Sequence, residues 1–384
     1  MLGKEQRITN NLTRMNSFDP QQLETVCATL DRWCAQDKIP GAGLAVGSSD
    51  GVALLRTFGR HHAWGDTEPM PDDAIFLVAS ITKPIVCTAL MILVDRGEVT
   101  LTDTVAHFVP EFEQLGKRDV QVRHLLTHTS GLPDMLPENA QLRTDHEPMP
   151  TFVARTCASP LAFCPGYQVK YQSMGITMIS EIILRITGME CPEFLRAEMF
   201  SRLGMDDSML GVPAEWRAGD GIKADRIAGI RITPEEAATD WHWNSDYWRS
   251  FGAPWGGLLT TPADLARCCR MMLNSGELDG TRIISPATVG AMSSNQLTHL
   301  PHVPEVERRC QPWGLGWRLN HRDGDPLNDL LPMKVYGHWG ATGTLLWIDP
   351  DQDSFFVLLT TEPMLPNGVP YIVRISNMVA AAIR

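Results

Sequence analysis

Residues 75–97 read Ile75-Phe76-Leu77-Val78-Ala79-Ser80-Ile81-Thr82-Lys83-Pro84-Ile85-Val86-Cys87-Thr88-Ala89-Leu90-Met91-Ile92-Leu93-Val94-Asp95-Arg96-Gly97. Ile75 to Val78 is a β-like run. Beyond Ser80, Ile85, Val86, Ala89, Leu90, Leu93 and Val94 recur at helical spacing, and Gly97 fits the C-terminal cap. Proline is tolerated in a helix's first turn but not in its interior, so Pro84 makes the helix begin close to Ser80. Ser80 and Lys83 stand three residues apart and share a helix face, within reach of each other. The serine hydroxyl then lies at the positive end of the helix dipole, near unpaired backbone N–H groups. A serine so placed gives up its proton more readily, and its own N–H can serve an oxyanion hole.

Working outward, residues 1–18 are polar and read as a flexible N-terminal segment. Leu23, Val26, Leu30 and Trp33 mark a helix that Pro40 and Gly41 stop. Ala42–Val46 and Val52–Phe58 flank a polar turn and read as a hairpin. The middle of the chain is mostly helix and loop. One helix follows Tyr171, with Ile176, Ile179, Ile182, Ile183 and Ile186 before Gly188. Another spans about 262–274, with Thr261 as N-cap. The tail returns to β in a second hairpin, 345–348 and 354–360, and ends in a helix over 369–383. This order predicts an α+β fold. An α/β sheet domain is formed by 19–75 and 300–384, and an all-helical domain is inserted over 76–299, with a cleft between them.

Composition narrows the function. The chain has 384 residues, 43% hydrophobic and 20% charged, as in ordinary globular proteins. Its net charge of −12 argues against a nucleic-acid surface and against a polybasic membrane anchor. Nine cysteines at irregular spacing, with no Cys-x-x-Cys, read as buried free thiols in a reducing compartment. Charged residues interrupt the first 25 positions, and no 18-residue apolar stretch occurs, so neither a signal peptide nor a transmembrane helix is expected. A cytoplasmic protein is the expectation, with no nucleic-acid and no membrane partner.

Two patterns are decoys. Gly47-Ser48-Ser49-Asp50-Gly51 matches G-x-S-x-G, but that motif needs a helix after it, and here a strand follows. His124 and His128 stand at i, i+4, as a zinc pair would. Leu125 occupies the place of the glutamate that a zinc protease needs, and no third ligand is suggested. No metal and no cofactor are called for. Asp72, Asp73 and Asp103 read as turn or cap residues, and Lys170 as a solvated charge.

The S-x-x-K tetrapeptide, Ser80-Ile81-Thr82-Lys83, belongs to a longer series. It is followed by Leu93-Val94-Asp95-Arg96-Gly97 and Leu101-Thr102-Asp103, then by the block His124-Leu125-Leu126-Thr127-His128-Thr129-Ser130-Gly131-Leu132-Pro133. Pro165-Gly166 precedes Tyr171-Gln172-Ser173. Gly256-Gly257-Leu258 leads to Thr261, Asp264 and Leu265, and His338-Trp339-Gly340 stands before the tail hairpin. In this order, from about residue 20 to the end, the chain resembles the serine β-lactamase and penicillin-binding-protein superfamily. Within it the chain is most similar to the class C β-lactamase-related branch of esterases and D-peptidases.

The resemblance implies a β-lactamase/transpeptidase-like fold, an antiparallel sheet flanked by helices, and acyl transfer through a covalent acyl-enzyme. Ser80 would attack the carbonyl, with Lys83 or Tyr171 as the base and Tyr171 protonating the leaving group. The backbone N–H groups of Ser80 and Ala341 would form the oxyanion hole. His338 takes the place of the lysine found in many β-lactamases, and would count as catalytic or only line the cleft. Ser173 replaces an asparagine, and bulky Trp339 precedes Gly340 where a small hydroxyl residue is common. Ser173, Trp339 and Gly340 would touch the substrate. Trp241, Trp243, Tyr247, Trp248 and Trp255 crowd one segment, and Trp243 and Trp248 are expected to wall an acyl pocket.

These departures favour a serine hydrolase acting on a small-molecule ester, or possibly an amide. A β-lactamase or D-amino-acid peptidase/transpeptidase-type enzyme is the alternative. A non-catalytic scaffold relative is a third reading, against which the retention of Ser80, Lys83 and Tyr171 argues.

Overall fold

A computed structural model describes residues 18–65, 68–217, 223–321, 327–364 and 369–384. The expected flexible segment 1–18 lies, apart from Phe18, outside the described residues. The chain enters through helix α1 (Pro20–Ala35), whose N-cap Asp19 accepts from the N–H groups of Gln21 and Gln22. Strands β1 (Gly41–Ser48) and β2 (Gly51–Gly59) form the first hairpin. Strands β3 (Phe76–Leu77), β4 (Met209–Leu210) and β5 (Leu258–Thr260) make a small antiparallel sheet in the order β3-β5-β4, with Leu259 of β5 paired on both sides, to Leu77 and to Met209. Helices α2 (Thr82–Asp95), α3 (Val122–Leu126), α4 (Met174–Thr187) and α5 (Pro262–Leu273) carry most of the middle. Two short strands, β6 (Glu277–Leu278) and β7 (Thr281–Arg282), pair with each other. Strands β8 (Arg318–Leu319), β9 (Tyr336–Gly340), β10 (Thr344–Asp349) and β11 (Ser354–Thr360) precede helix α6 (Val369–Ala380).

The main sheet is antiparallel, in the order β2-β1-β11-β10-β9-β8. Its register sets Leu44 opposite Leu358 and Ala45 opposite Val357, so the two ends of the chain meet at its centre. Successive side chains on a strand point to opposite faces. Leu44, Val46, Leu345, Trp347, Phe356 and Leu358 therefore pack on one face against α1 and α6. Ala45, Leu346, Ile348, Phe355, Val357 and Leu359 join the other core, which runs on into the helical region. Burial on both faces explains why these strands read as nearly continuous apolar runs rather than as clean alternation. Each fully buried large apolar side chain contributes about 1.5–3 kcal/mol.

Helix α5 shows that packing does not follow the expected span 76–299. It packs against β1 and β11 on the second face of the sheet, although it lies inside that span. Its start has a local cause: Thr261 Oγ1 accepts from the Asp264 N–H at 3.1 Å, and Pro262 takes the first helical position. Among the described residues, no helix is long and apolar enough to cross a membrane.

One junction decides where the site forms. Leu77 pairs with Leu259 of the small sheet, and the Val78 N–H donates to the Leu258 carbonyl at 3.0 Å. From the large sheet, Thr342 Oγ1 donates to the Leu77 carbonyl at 2.7 Å and Thr344 Oγ1 to the Val78 carbonyl at 2.9 Å. The residues just before Ser80 are thus pinned to both sheets.

Candidate active site

Ser80 stands on a 3-10 turn, Ala79–Ile81, that feeds directly into α2. Pro84 falls in the first turn of α2, where its missing N–H costs nothing. Ala79 has φ +46°, the left-handed region that costs a non-glycine residue about 1–2 kcal/mol. Thr82 holds this peptide from two sides. Its Oγ1 donates to the Ala79 carbonyl at 2.6 Å and accepts from the Leu258 N–H at 3.0 Å. Most residues around the turn are buried, but Ser80 is only half-buried.

Lys83 is 1% exposed, and its Nζ lies 3.0 Å from Ser80 Oγ and 2.9 Å from the Trp255 carbonyl. Burial pushes the ammonium down to about 7, while the Asp134 carboxylate works the other way. A substantial neutral fraction therefore exists near neutral pH. Tyr171 completes the group, with Lys83 Nζ 4.7 Å from its ring centroid. The ring is half-buried, but the hydroxyl oxygen is shut off from solvent and makes no ordinary hydrogen bond among the described residues. Burial pushes this phenol well above its ordinary value, and the nearby Ser80 side chain only partly offsets that.

Sequence neighbours at the third motif behave differently from one another. Gly340 ends β9 where a Cβ would overlap the Val78 carbonyl, so only glycine lets the strand approach the Ser80 turn this closely. Among the described residues, nothing accepts from the N–H of Ser80 or of the following Ala341. His338 is fully buried, with Nδ1 2.7 Å from the Trp339 carbonyl and Nε2 without a partner. Burial first, and the Lys83 charge second, push its imidazole down to about 3, so it is neutral at pH 7. Trp339 is half-buried and lies over Tyr171, with centroids 6.0 Å apart and planes 24° from parallel. The Arg318 guanidinium carbon lies 5.9 Å from the Trp339 ring, and Arg318 also bonds His321 at 2.6 Å.

Two expected substrate contacts are arranged otherwise. Ser173 is 1% exposed, and its hydroxyl donates to Asp134 Oδ1 at 2.7 Å, so it faces the cleft only through that carboxylate. Trp248 is core rather than wall. It is 2% exposed, with the Arg143 guanidinium 4.2 Å from its ring and the half-buried Trp243 packed edge-on at 5.7 Å. Its neighbours Phe251 and Trp255 fill the same core. The Trp255 carbonyl, bonded by Lys83 Nζ, links that aromatic segment to the Ser80 turn.

The packing behind Tyr171 comes from residues to which the sequence assigned no catalytic role. His128, with φ +58°, packs on Tyr171 at 4.8 Å and edge-on to Trp313 at 4.2 Å. Its Nδ1 accepts from the Gln172 N–H at 3.2 Å, and burial holds the imidazole neutral. Gln172 ties the blocks together, bonding Ser130 Oγ and donating to the carbonyls of His124 and Leu125. His124 Nδ1 instead accepts from the Gln121 N–H at 3.1 Å, so the two histidines serve different places. His128 sits in a block that was singled out. Trp313 carries no local pattern, and only the folded chain brings it to Tyr171. Ser49, the decoy, donates to Asp353 Oδ2 at 2.9 Å in the β1–β2 turn.

A family model described as beta-lactamase matches residues 22–369. Penicillin-binding protein 4 of Amycolatopsis lactamdurans is 30% identical over 310 residues, covering 79% of this chain and 75% of that protein. A penicillin-binding-protein homologue from Caulobacter crescentus superposes with a TM-score of 0.77 at 24% identity, covering 95% of this chain and 99% of the other. A family VIII carboxylesterase superposes with a TM-score of 0.75 at 22% identity, covering 95% and 98%. At those identities the two structures show a shared fold.

Proposed function

The chain belongs to the beta-lactamase family, a family of serine hydrolases, and on that premise we propose that it cleaves carboxylic esters through an acyl intermediate on Ser80. The observation that carries this reading is the 3.0 Å contact between Ser80 Oγ and a buried Lys83 whose pKa is held down to about 7. Neutral Lys83 takes the hydroxyl proton as Ser80 Oγ bonds to the carbonyl carbon. The oxyanion accepts from the N–H groups of Ser80 and Ala341. The tetrahedral intermediate collapses, the C–O bond breaks, and the leaving alkoxide takes a proton that passes from Lys83 through Tyr171. Water then repeats the sequence on the acyl-serine and releases the acid. Tyr171 acts in its protonated form, because burial raises its pKa and leaves Lys83 as the better base.

Ester cleavage is favoured over β-lactam cleavage by the third motif. A fixed lysine cation would hold a substrate carboxylate, whereas His338 is neutral. The half-buried Trp339, lying over Tyr171, gives the cleft an apolar wall suited to an uncharged acyl or alcohol group. The kinship with a penicillin-binding protein supports a second reading, acylation by penicillins or D-alanyl substrates.

One experiment separates them. Purified protein and Ser80→Ala are assayed on nitrophenyl esters, a chromogenic cephalosporin and D-alanyl amides, with intact-mass detection of acyl-Ser80. Ester turnover that needs Ser80 supports the first reading. Cephalosporin or D-alanyl turnover without ester turnover supports the second, and equal rates from both proteins on every substrate remove both.

A further inference from the structure

The cleft holds a carboxylate that acyl transfer itself does not use. Asp134 follows the 124–133 block and is half-buried. Its Oδ1 accepts from Ser173 Oγ at 2.7 Å, and its carbonyl accepts from the Ser173 N–H at 3.2 Å. Ser173 is itself buried at the start of α4, so the carboxylate stands on a rigid base. Ser173 stands two residues after Tyr171, so the bond to it holds Asp134 close to the reacting centre, where its charge also acts on Lys83 and Tyr171. The two histidines of the cleft, His128 and His338, are neutral, and Arg318, against Trp339, acts on Tyr171 as well.

The chemistry of this position differs from that of an amide. An asparagine side chain both donates and accepts, whereas a carboxylate only accepts. A group presented to Asp134 must therefore bring hydrogens and gains most if it is a cation. Of the ionisable side chains described above, Lys83 and Arg318 are themselves basic, so an ammonium close to the scissile carbonyl finds its acceptor in Asp134.

We propose that Asp134 is a specificity-determining residue that accepts the ammonium of a substrate with a primary amine next to its scissile carbonyl, making α-amino esters the preferred acyl donors. This rests on the serine-hydrolase reading of Ser80 and names the substrate class of the same site.

The test compares alanine and N-acetylalanine p-nitrobenzyl esters, in both configurations, on wild type and Asp134→Asn. Asparagine keeps an oxygen for Ser173 and removes the charge. Wild type is expected to favour the free amine by about tenfold or more in kcat/KM, the worth of one charge-assisted hydrogen bond. Raising the pH past the amine's own pKa, about 7.7–8.0, lowers that ratio in wild type. Asp134→Asn brings the ratio down towards one. A wild-type preference for the N-acetyl ester overturns the proposal whatever the variant does, and so does a ratio unchanged by Asp134→Asn. If the N-acetyl ester acylates Ser80 with no preference for the amine, the subsite fails while the hydrolase reading stands. If neither ester is turned over faster than by Ser80→Ala, the hydrolase reading falls and takes the proposal with it.

Discussion

Lowering the pH should switch the enzyme off through Lys83. Its pKa is pushed from 10.5 to about 7, chiefly by burial. Only the neutral amine can take the Ser80 proton, so roughly a tenth of the molecules are competent at pH 6 and a hundredth at pH 5. kcat/KM should fall tenfold and a hundredfold below its plateau at those two values. The assay is kcat/KM for a nitrophenyl ester from pH 5 to 9, which reports groups on the unliganded enzyme. Lys83→Arg should lose about 10²–10⁴-fold and show no acidic limb, because guanidinium stays charged throughout. Asp134 raises the Lys83 pKa, so Asp134→Asn should move the limb to lower pH. The same shift is written into stability. Between about 7 and 10.5 the unfolded chain holds a proton that the folded chain does not, so folding gains as pH rises through that window. The gain is on the order of 5 kcal/mol, and below pH 7 it vanishes because both states are protonated. The melting temperature of wild type relative to Lys83→Met should therefore climb from pH 7 to pH 10. A flat pH-rate profile, a limb centred near 4, or a limb that survives in Lys83→Arg would refute the assignment of Lys83 as base.

Three further perturbations probe separate parts of the site. Tyr171→Phe removes only the buried hydroxyl and should lower kcat by about 10²–10⁴-fold while the melting temperature holds, as steady-state kinetics and calorimetry will show. Gly340→Ala puts a Cβ into the Val78 carbonyl, and should cost about 1–3 kcal/mol in denaturant unfolding together with most of the activity. Trp248→Ala empties a core site and should cost about 3–5 kcal/mol. If Trp248→Ala instead altered ester chain-length preference at unchanged stability, its place in the core would be wrong.

The Ser80–Lys83 contact was legible because its signal is local. A serine and a lysine three residues apart, with a proline just after them, constrain one turn of helix, and the structure has Lys83 Nζ on Ser80 Oγ. The two hairpins were legible for the same reason, each being a pair of apolar runs around a polar turn. Features set by distant contacts were not. Nothing in residues 42–47 announces that their partners are 355–360. Trp248 reads like a cleft aromatic until Arg143, more than a hundred residues earlier, is found on its face. Ser173 reads like a substrate contact until Asp134 takes its hydroxyl. Local patterns brought out the Ser80–Lys83 pair, whereas its surroundings and counter-charges depend on how far-separated segments pack.

The pairing of β1 with β11 also sets a clock on the newly made chain. The N–H of Ala341 is made about 260 residues after Ser80, and the strand beside β1 about 270 after it. At 5–20 residues per second that interval is roughly 10–50 s. Throughout it, the inner edge of the first hairpin has no partner, and the serine has half of its oxyanion hole. Premature termination before β11 consequently yields a chain with an open sheet edge and no working centre, rather than an enzyme of reduced activity. A centre that needs both Ser80 and Ala341 is therefore assembled late relative to its first half.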